Sequence, residues 1–203
     1  MTQQNSTPSL ILASASPRRR ELLEQAGVVF TVIPSNAAED ILVGEAPAEY
    51  ALRVAGAKAQ EVAQNHPGHW VLGADTIVIT AEQILGKPRD RADATRMLCL
   101  LSGQTHQVRT AFVLIAATGQ EYTRQIVATT VTFKSLSNEQ IHSYLDTGEP
   151  CDKAGAYAVQ GLGAALVEKV EGSYTNVVGL PLDEVLASLH AAGLYPATEK
   201  PPS

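Results

Sequence analysis

The sequence predicts a mixed α/β fold, in which helices cover a mixed, twisted sheet. Short apolar runs alternate with amphipathic stretches along the chain, which is typical of helices scattered among strands. Two longer strand-like segments, residues 107–116 and 126–134, are separated by the turn residues Thr118 and Gly119, which indicates a hairpin-like pair. The chain contains no internal repeat.

The N-terminal elements are predicted from apolar runs and capping residues. Residues 10–13 form an apolar run that predicts a buried strand. Ser16 is suited to cap a helix with Pro17 in its first position, and Gly27 is expected to end that helix. Residues 28–33 predict a second strand.

The remaining elements are predicted in the same way. An alanine-rich stretch from Pro47 to about Gln64 predicts a long helix that carries Lys58. Asp90 and Ser137 are suited to start two further helices. The first of those helices is expected to reach Leu101, and the second is expected to end at Gly148. A last helix is predicted over residues 181–192. Further strands are predicted over residues 70–80, 84–85, 156–160 and 164–170.

Composition predicts one folded domain with short tails. Of the 203 residues, 45% are hydrophobic, which is enough for one sizeable core or two closely joined lobes. Residues 9–195 are expected to form the domain, with flexible tails at 1–8 and 196–203. The chain has no apolar run of about 18 residues and no secretory signal pattern, so no membrane partner is expected. Two cysteines without metal-ligand spacing, Cys99 and Cys151, predict free thiols and a cytoplasmic location.

The charge distribution argues against one class of partner and leaves another open. The net charge is −6, and the lysines and arginines form no stripe, so polymeric nucleic acid is not an expected partner. A small polyanion can still bind where a few basic residues converge in one cleft.

Two segments in the N-terminal half carry residues suited to chemistry. Residues 14–20, SASPRRR, combine hydroxyls, arginines and the free backbone N–H groups of a helix start, which favours anion binding. The alternative is an ordinary capped helix with solvated arginines. Asp75 interrupts an apolar strand within GADT, and its burial is costly unless it is paired or binds a metal. The alternative there is a strand-end aspartate that accepts backbone hydrogen bonds.

A third segment, EPCDKAGAY over residues 149–157, places Asp152 beside Lys153, although an exposed turn is the favoured explanation for such a pair taken alone. Taken together, Asp75 and Asp152 are suited to bind a hard cation such as Mg²⁺. The GxxxxGK[ST] loop of Walker-type NTPases is absent. The combination predicts phosphoryl-transfer chemistry, with phosphates neutralised by Arg18, Lys58, Lys87 and Lys153.

A series of motifs spans almost the whole chain: LILASASPRRRELLEQAG, Lys58-Ala59, VLGADTIV, LGKP, LSGQTHQV, TGEPCDKAGAYAVQG and GSYTNVVGLPL. In this order and spacing they resemble the Maf family of nucleotide pyrophosphatases, which are relatives of the Ham1 (ITPase-like) fold. So many ordered motifs make the resemblance specific. It implies an α/β domain with two lobes around a central cleft, and a homodimer.

The resemblance also implies roles for individual residues. Asp75 matches the position of the general base. Arg18, Thr76 and Gln160 match positions linked to substrate choice. Ser14, at the start of the anion-binding segment, is a further candidate for substrate binding.

The implied cofactor is a divalent cation, Mg²⁺ or Mn²⁺. Its expected ligands are Glu39, Asp75 and Asp152. The family often has Asp-Glu where this chain has Ala38 and Glu39, so Glu39 is the only acid expected from that loop. Residues that the resemblance places at the phosphate end are Lys58, Lys87, Asp152 and Lys153.

The implied reaction cleaves a nucleoside triphosphate to its monophosphate and pyrophosphate. Gln160 offers an acceptor beside donors, which suits the N3–H and O4 or O2 of thymine or uracil, so dTTP and UTP are the expected substrates. Modified pyrimidine nucleotides fit the same expectation, in a housecleaning role. Two alternatives stay open: a pyrophosphatase acting on 7-methyl-GTP, and a nucleotide-binding regulator of septum formation. An intact Asp75 favours an enzyme, because binding alone needs no base.

Four further residues are left out of the catalytic set. His106 is interpreted as a structural histidine at the start of a strand. Tyr157 and Tyr174 are interpreted as side chains that fill gaps in the core. Asn176 is suited either to bond a ribose or to close a turn.

Overall fold

The computed structural model describes residues 9–80 and 83–196. The predicted tails, 1–8 and 196–203, lie outside the described residues except for Pro196. The strands are β1 (Leu10–Leu12), β2 (Phe30–Val32), β3 (Trp70–Ile79), β4 (Ile84–Leu85), β5 (Thr105–Ile115), β6 (Glu121–Phe133) and β7 (Val167–Glu171). The helices are α1 (Pro17–Gln25), α2 (Pro47–Asn65), α3 (Arg91–Leu101), α4 (Asn138–Asp146), α5 (Tyr174–Val178) and α6 (Leu182–Ala191).

All seven strands form one mixed sheet. Its order is β2-β1-β3-β5-β6-β7, and β4 pairs with β3. β1 is parallel to both β2 and β3, whereas the pairs involving β4, β5, β6 and β7 are antiparallel. The mixed sheet and the hairpin-like pair β5–β6 confirm the predicted fold class. No helix within the described residues is long and apolar enough to cross a membrane.

The sheet separates two hydrophobic clusters, because alternate side chains of a strand point to opposite faces. On β3, Leu72 and Ala74 pack with α1 and α6. Val71 and Ile77 belong to the other cluster, against α2. A third cluster joins α3 and α4 to the far end of the sheet and includes Phe133.

Helix α2 lies unusually close to β3 because Gly73 has no side chain. A Cβ at this position would lie 2.5 Å from the Ala55 carbonyl oxygen and 2.7 Å from the Ala59 nitrogen. Both distances are far below van der Waals contact, so only glycine permits this approach. The contact fixes the height of α2 above the strand, and therefore the position of Lys58.

The segment after α4 differs from the prediction. Residues 156–160, expected as a strand, contain none. Gly155 and Ala156 have φ values of 70° and 59°, in the left-handed region, which an extended strand does not include.

The next predicted strand, residues 164–170, is also shorter than expected. Gly161–Leu166 forms a 3₁₀ helix, so the chain becomes extended only at Val167. Helix α5 was not predicted; Ser173 caps it by accepting a hydrogen bond from the Asn176 nitrogen. Its five residues are too few for a helical hydrophobic pattern to be detected.

Candidate active site

A gap in the sheet leaves part of one edge of β3 without a neighbouring strand among the described residues. On the side opposite β5, β1 pairs with residues 70–72 and β4 pairs with residues 78–79. None of the described strands pairs with residues 73–77 on that side. The gap therefore leaves backbone groups on both sides of Asp75 available to side chains or to a ligand.

Asp75 and Thr76 at this gap point to opposite faces of the sheet. Asp75 lies on the α2 face, where its Oδ1 accepts a 2.8 Å hydrogen bond from Lys58 Nζ. Thr76 lies on the α1 face, where its Oγ1 donates a 3.3 Å hydrogen bond to the Gly179 carbonyl oxygen. The two side chains at the gap therefore serve different faces of the sheet.

Lys58 joins two carboxylates that come from different elements. Its Nζ lies 2.8 Å from Asp75 Oδ1 and 2.7 Å from Glu39 Oε1. Lys58 is 8% exposed and Asp75 is 5% exposed, so this pair of charges is buried. Tyr50 Oη anchors the loop of Glu39 to α2 by donating a 2.8 Å hydrogen bond to the Glu39 carbonyl oxygen.

The two carboxylates differ in their affinity for a proton. Burial raises the pKa of Asp75, although Lys58 and Arg19 act in the opposite direction. Burial also opposes ionisation of Glu39, but the hydrogen bond and charge of Lys58 outweigh it and lower its pKa. The exposed Lys87 lies close enough for its charge to lower the pKa of Glu39 further. Asp75 therefore has the character of a general base, and Glu39 that of a fixed negative charge.

Arg19 occupies the gap itself, and sequence analysis did not identify it. Its guanidinium is buried and joins three segments of the chain. The run of three arginines signals an anion site, but it does not show which arginine faces the sheet. The hydrogen bonds of Arg19 run from Nε to the Gly179 carbonyl oxygen (2.7 Å), from Nη1 to the Ala74 carbonyl oxygen (2.9 Å) and to Ser14 Oγ (3.1 Å), and from Nη2 to Thr76 Oγ1 (2.9 Å).

Ser14 is therefore part of the structure around the gap as well as a candidate ligand-binding residue. It is buried, and its Oγ accepts hydrogen bonds from Arg19 and from the Ser16 nitrogen. Because both bonds use its lone pairs, its O–H is left to donate to a ligand.

A cleft of about 420 Å³, including its solvent-filled mouth, lies on the Thr76 face. It combines apolar walls with a polar end, which suits a flat base carrying hydrogen-bonding groups. The lining includes Val78, Val108, Val159 and Val177, together with the predicted substrate-binding residues Arg18, Thr76, Lys153 and Gln160.

Asp152 lies with the basic residues of this cleft. Its Oδ2 accepts a 3.3 Å hydrogen bond from Arg18 Nη1, and its Oδ1 accepts a 2.6 Å bond from Lys153 Nζ. Burial opposes ionisation, but the bonds and charges of Lys153 and Arg18 outweigh it and lower the pKa of Asp152. Asp152 thus holds the two cations in place at the mouth of the cleft.

The predicted set of three metal ligands is not brought together. Within the described residues, no group of three or more His, Cys, Asp or Glu side chains is arranged to hold a metal ion. Glu39 and Asp75 converge on Lys58, whereas Asp152 is neutralised by Arg18 and Lys153. Two carboxylates do fit Mg²⁺, which commonly takes one or two carboxylates together with phosphate oxygens of the substrate.

The residues left out of the catalytic set are mostly structural. His106 is 3% exposed, and its Nε2 lies 2.8 Å from Oη of the buried Tyr157, so both interpretations are confirmed. Asn176 is fully buried and donates from Nδ2 to Thr129 Oγ1 and to a β5 carbonyl oxygen. The interpretation of Tyr174 as a core residue is wrong: it is 49% exposed, on the short helix that was not predicted.

Comparison with known proteins identifies the family of the chain. Residues 9–192 match the family described as Maf-like protein. The chain belongs to the Maf family. This confirms the resemblance drawn from the ordered motifs.

Relatives of this Maf-family protein bear the name dTTP/UTP pyrophosphatase, and three of them serve as examples. The relative from Geobacter sulfurreducens is 51% identical over 91% of this chain and 96% of its own length. The one from Myxococcus xanthus is 52% identical, over 91% and 93%. The one from Anaeromyxobacter dehalogenans is 51% identical, over 96% and 99%. A more distant match is the crystal structure of a nucleoside-triphosphatase / dITP/XTP pyrophosphatase from Mycobacterium abscessus, with 15% identity and a TM-score of 0.41 over 92% of this chain and 95% of that one.

Proposed function

We propose that this Maf-family protein hydrolyses dTTP and UTP to the nucleoside monophosphate and pyrophosphate. The observation that carries the proposal is the buried Asp75 at the gap in β3, bonded to Lys58 and across the strand from the cleft of Gln160. Relatives that are 51% and 52% identical and named dTTP/UTP pyrophosphatase support the same substrate class. Removal of surplus or modified pyrimidine nucleotides is the corresponding role.

Asp75 acts as the general base in this proposal. It takes a proton from a water molecule whose oxygen attacks the α-phosphorus. The bond between that phosphorus and the oxygen bridging to the β-phosphorus breaks, and pyrophosphate leaves with the bridging oxygen. The raised pKa of Asp75 suits it to accept the proton more readily than an ordinary aspartate.

Positive side chains stabilise the charge that builds up on the leaving pyrophosphate. Lys58 and Lys87 lie at the Asp75 side of the gap, and Arg18 and Lys153 at the mouth of the cleft. Glu39 and Asp75 are the residues that would hold a Mg²⁺ or Mn²⁺ ion, which would supply further positive charge at the phosphates and lower the pKa of the attacking water.

Base recognition is assigned to the cleft on the Thr76 face. The Gln160 amide offers an acceptor and donors side by side, which pairs with N3–H and O4 or O2 of a pyrimidine. Thr76 Oγ1 accepts a hydrogen bond from Arg19, and its O–H can donate to the Gly179 carbonyl oxygen or to Thr110 Oγ1. Its second lone pair is then left to accept a hydrogen bond from the ligand.

A substrate panel tests the proposal. The protein is incubated with dTTP, UTP and 7-methyl-GTP in the presence of Mg²⁺ or Mn²⁺, and the products are separated by anion exchange. We expect dTMP or UMP with pyrophosphate, and no reaction in EDTA. Orthophosphate with a diphosphate product contradicts attack at the α-phosphorus. A preference for 7-methyl-GTP favours the purine alternative, and binding without turnover favours a regulator.

Two expectations from the sequence stay predictions. They are the homodimer, which light scattering on the purified protein would detect, and the cytoplasmic location.

A further inference from the structure

A single carboxylate outside the cleft holds the turn that follows Gln160. Glu149 Oε1 accepts hydrogen bonds from Tyr144 Oη at 2.8 Å and from the Gly163 nitrogen at 3.0 Å. Its Oε2 accepts a 3.1 Å bond from the Leu162 nitrogen. These bonds connect the end of α4 to the backbone immediately after Gln160.

Tyr144 holds the backbone before Gln160 as well. Its Oη accepts a 3.1 Å hydrogen bond from the Ala158 nitrogen while it donates to Glu149. Burial opposes ionisation of Glu149, but the bonds from Tyr144 and from the two backbone nitrogens outweigh it and lower its pKa. An ionised carboxylate is the form that can accept all three bonds.

Two glycines allow this close arrangement. A Cβ on Gly161 would lie 2.6 Å from Glu149 Oε2. A Cβ on Gly163 would lie 2.3 Å from the Ala158 carbonyl oxygen and 2.6 Å from Tyr144 Oη. The turn is therefore shaped around the Tyr144–Glu149 pair, which bonds the backbone on both sides of a three-residue segment with Gln160 at its centre.

We propose that Glu149, oriented by Tyr144, is a positioning residue for substrate specificity that acts through Gln160. The inference rests on the proposed function, in which Gln160 reads the pyrimidine. Glu149 accepts a hydrogen bond from Lys153 Nζ through its main-chain carbonyl oxygen, and its carboxylate also interacts with the charge of Lys153. A change of the Glu149 side chain leaves that hydrogen bond intact, although Glu149→Gln removes a negative charge near the phosphate end.

The decisive variant is Glu149→Gln, which keeps the shape but replaces one acceptor with an NH₂ donor facing other donors. Because a hydrogen bond of the turn is then lost, KM for dTTP and UTP should rise roughly tenfold to a hundredfold. Inhibition by pyrophosphate, which contacts only the phosphate end, should not weaken, because the loss of a negative charge near Lys153 favours binding of an anion. The preference for dTTP over 7-methyl-GTP should fall by the same factor as KM rises. Glu139→Gln, which removes an exposed carboxylate on α4, is the matched control.

A double-mutant cycle separates positioning from a general structural role. In a Gln160→Ala background, Glu149→Gln should cause no further loss of preference, because both changes act through one side chain. Additive losses, or equal weakening of pyrophosphate and dTTP, would overturn the proposal. Tyr144→Phe should lower the preference in the same direction, and it serves if Glu149→Gln does not fold. If the wild-type protein cleaves neither dTTP nor UTP, both the proposed function and this inference fail. If the wild-type protein cleaves them and the Glu149→Gln variant keeps the wild-type preference for dTTP, only this inference fails.

Discussion

Among single residues, Asp75 and Glu39 show how surroundings decide the role of a carboxylate. Both bond the same nitrogen, Lys58 Nζ, at nearly equal distances. Asp75 is buried and its pKa is raised, whereas Glu39 is partly solvated and its pKa is lowered. Two carboxyl groups with pKa values pushed apart can serve as a proton acceptor and as a permanent charge at the same pH.

Asp75→Asn tests the first of these roles. The amide keeps the shape but cannot accept the proton from water, so kcat should fall by roughly 10²- to 10⁴-fold. Thermal unfolding should show that the variant is folded, because Lys58 keeps Glu39 as its partner. Asp146→Asn, which removes an exposed carboxylate on α4, should retain full activity. Activity of Asp75→Asn close to wild type would place the base elsewhere.

The pH dependence of kcat/KM should follow Asp75 in the free enzyme. Burial raises the pKa of Asp75, whereas the charges of Lys58 and Arg19 act in the opposite direction. Lys58 lowers the pKa of Asp75, so Lys58→Met should move the acid limb to higher pH. An acid limb that does not move in Lys58→Met would show that another group titrates.

A site residue could be predicted from the sequence where it interrupts a regular pattern of apolar residues. Asp75 was recognisable because a carboxylate breaks an apolar strand. Arg19 was not, because three consecutive arginines look alike until the helix is docked on the sheet. Three of its four hydrogen bonds are made to residues distant in the chain, such as Gly179.

At the scale of elements, the site depends on how closely α2 packs on β3. The absence of a side chain at Gly73 allows the contact with Ala55 and Ala59. Lys58 lies on the same part of α2 and reaches Asp75, two residues beyond Gly73 on the same face of β3. A displacement of the helix would therefore separate the two charged groups.

Gly73→Ala should both destabilise the protein and lower kcat. The added methyl group cannot fit at 2.5 Å from the Ala55 carbonyl oxygen, so α2 must shift. Overpacking of this kind costs about 1–3 kcal/mol, which urea unfolding can measure. Gly86→Ala is the matched control, since a Cβ there meets nothing within 4 Å. Unchanged stability and activity in Gly73→Ala would contradict the role given to this contact.

The elements that the sequence predicted correctly are those with strong caps or long patterns. Ser137 and Asp90 do accept capping hydrogen bonds, from Gln140 and Asp93 nitrogens. The strand predicted over residues 156–160 is absent, and Ala156 at its start adopts a left-handed φ of 59°. That conformation is unfavourable for alanine, and only the surrounding packing enforces it.

At the scale of the whole molecule, one core cluster connects the turn that carries Gln160 to distant elements. It contains residues of α3, α4, β5 and β6 together with Ala156 and Tyr157. His106 packs edge-on against Phe133 and Tyr157 within it. The stability of this cluster therefore also supports the turn that carries Gln160.

His106 should make the stability of the protein depend on pH. Burial lowers the pKa of His106 from 6.5 to about 4 in the folded state, so protonation favours the unfolded chain. Its contribution is fully present above pH 6.5 and is lost as the pH falls to about 4. The change amounts to roughly 3 kcal/mol. Urea unfolding of wild type and His106→Gln across this range should show a smaller pH dependence in the variant; equal slopes would contradict the assignment.

The division of labour between the two faces of β3 has an evolutionary consequence. Asp75 and its neighbour Thr76 are adjacent in the chain, yet Asp75 bonds Lys58 on one face and Thr76 lines the cleft on the other, so the proposed function gives them separate roles in bond cleavage and base recognition. Substitutions around the cleft can therefore accumulate without touching Lys58 or Glu39. Proteins that share this strand can therefore change their nucleotide substrate while they keep the same hydrolytic residues.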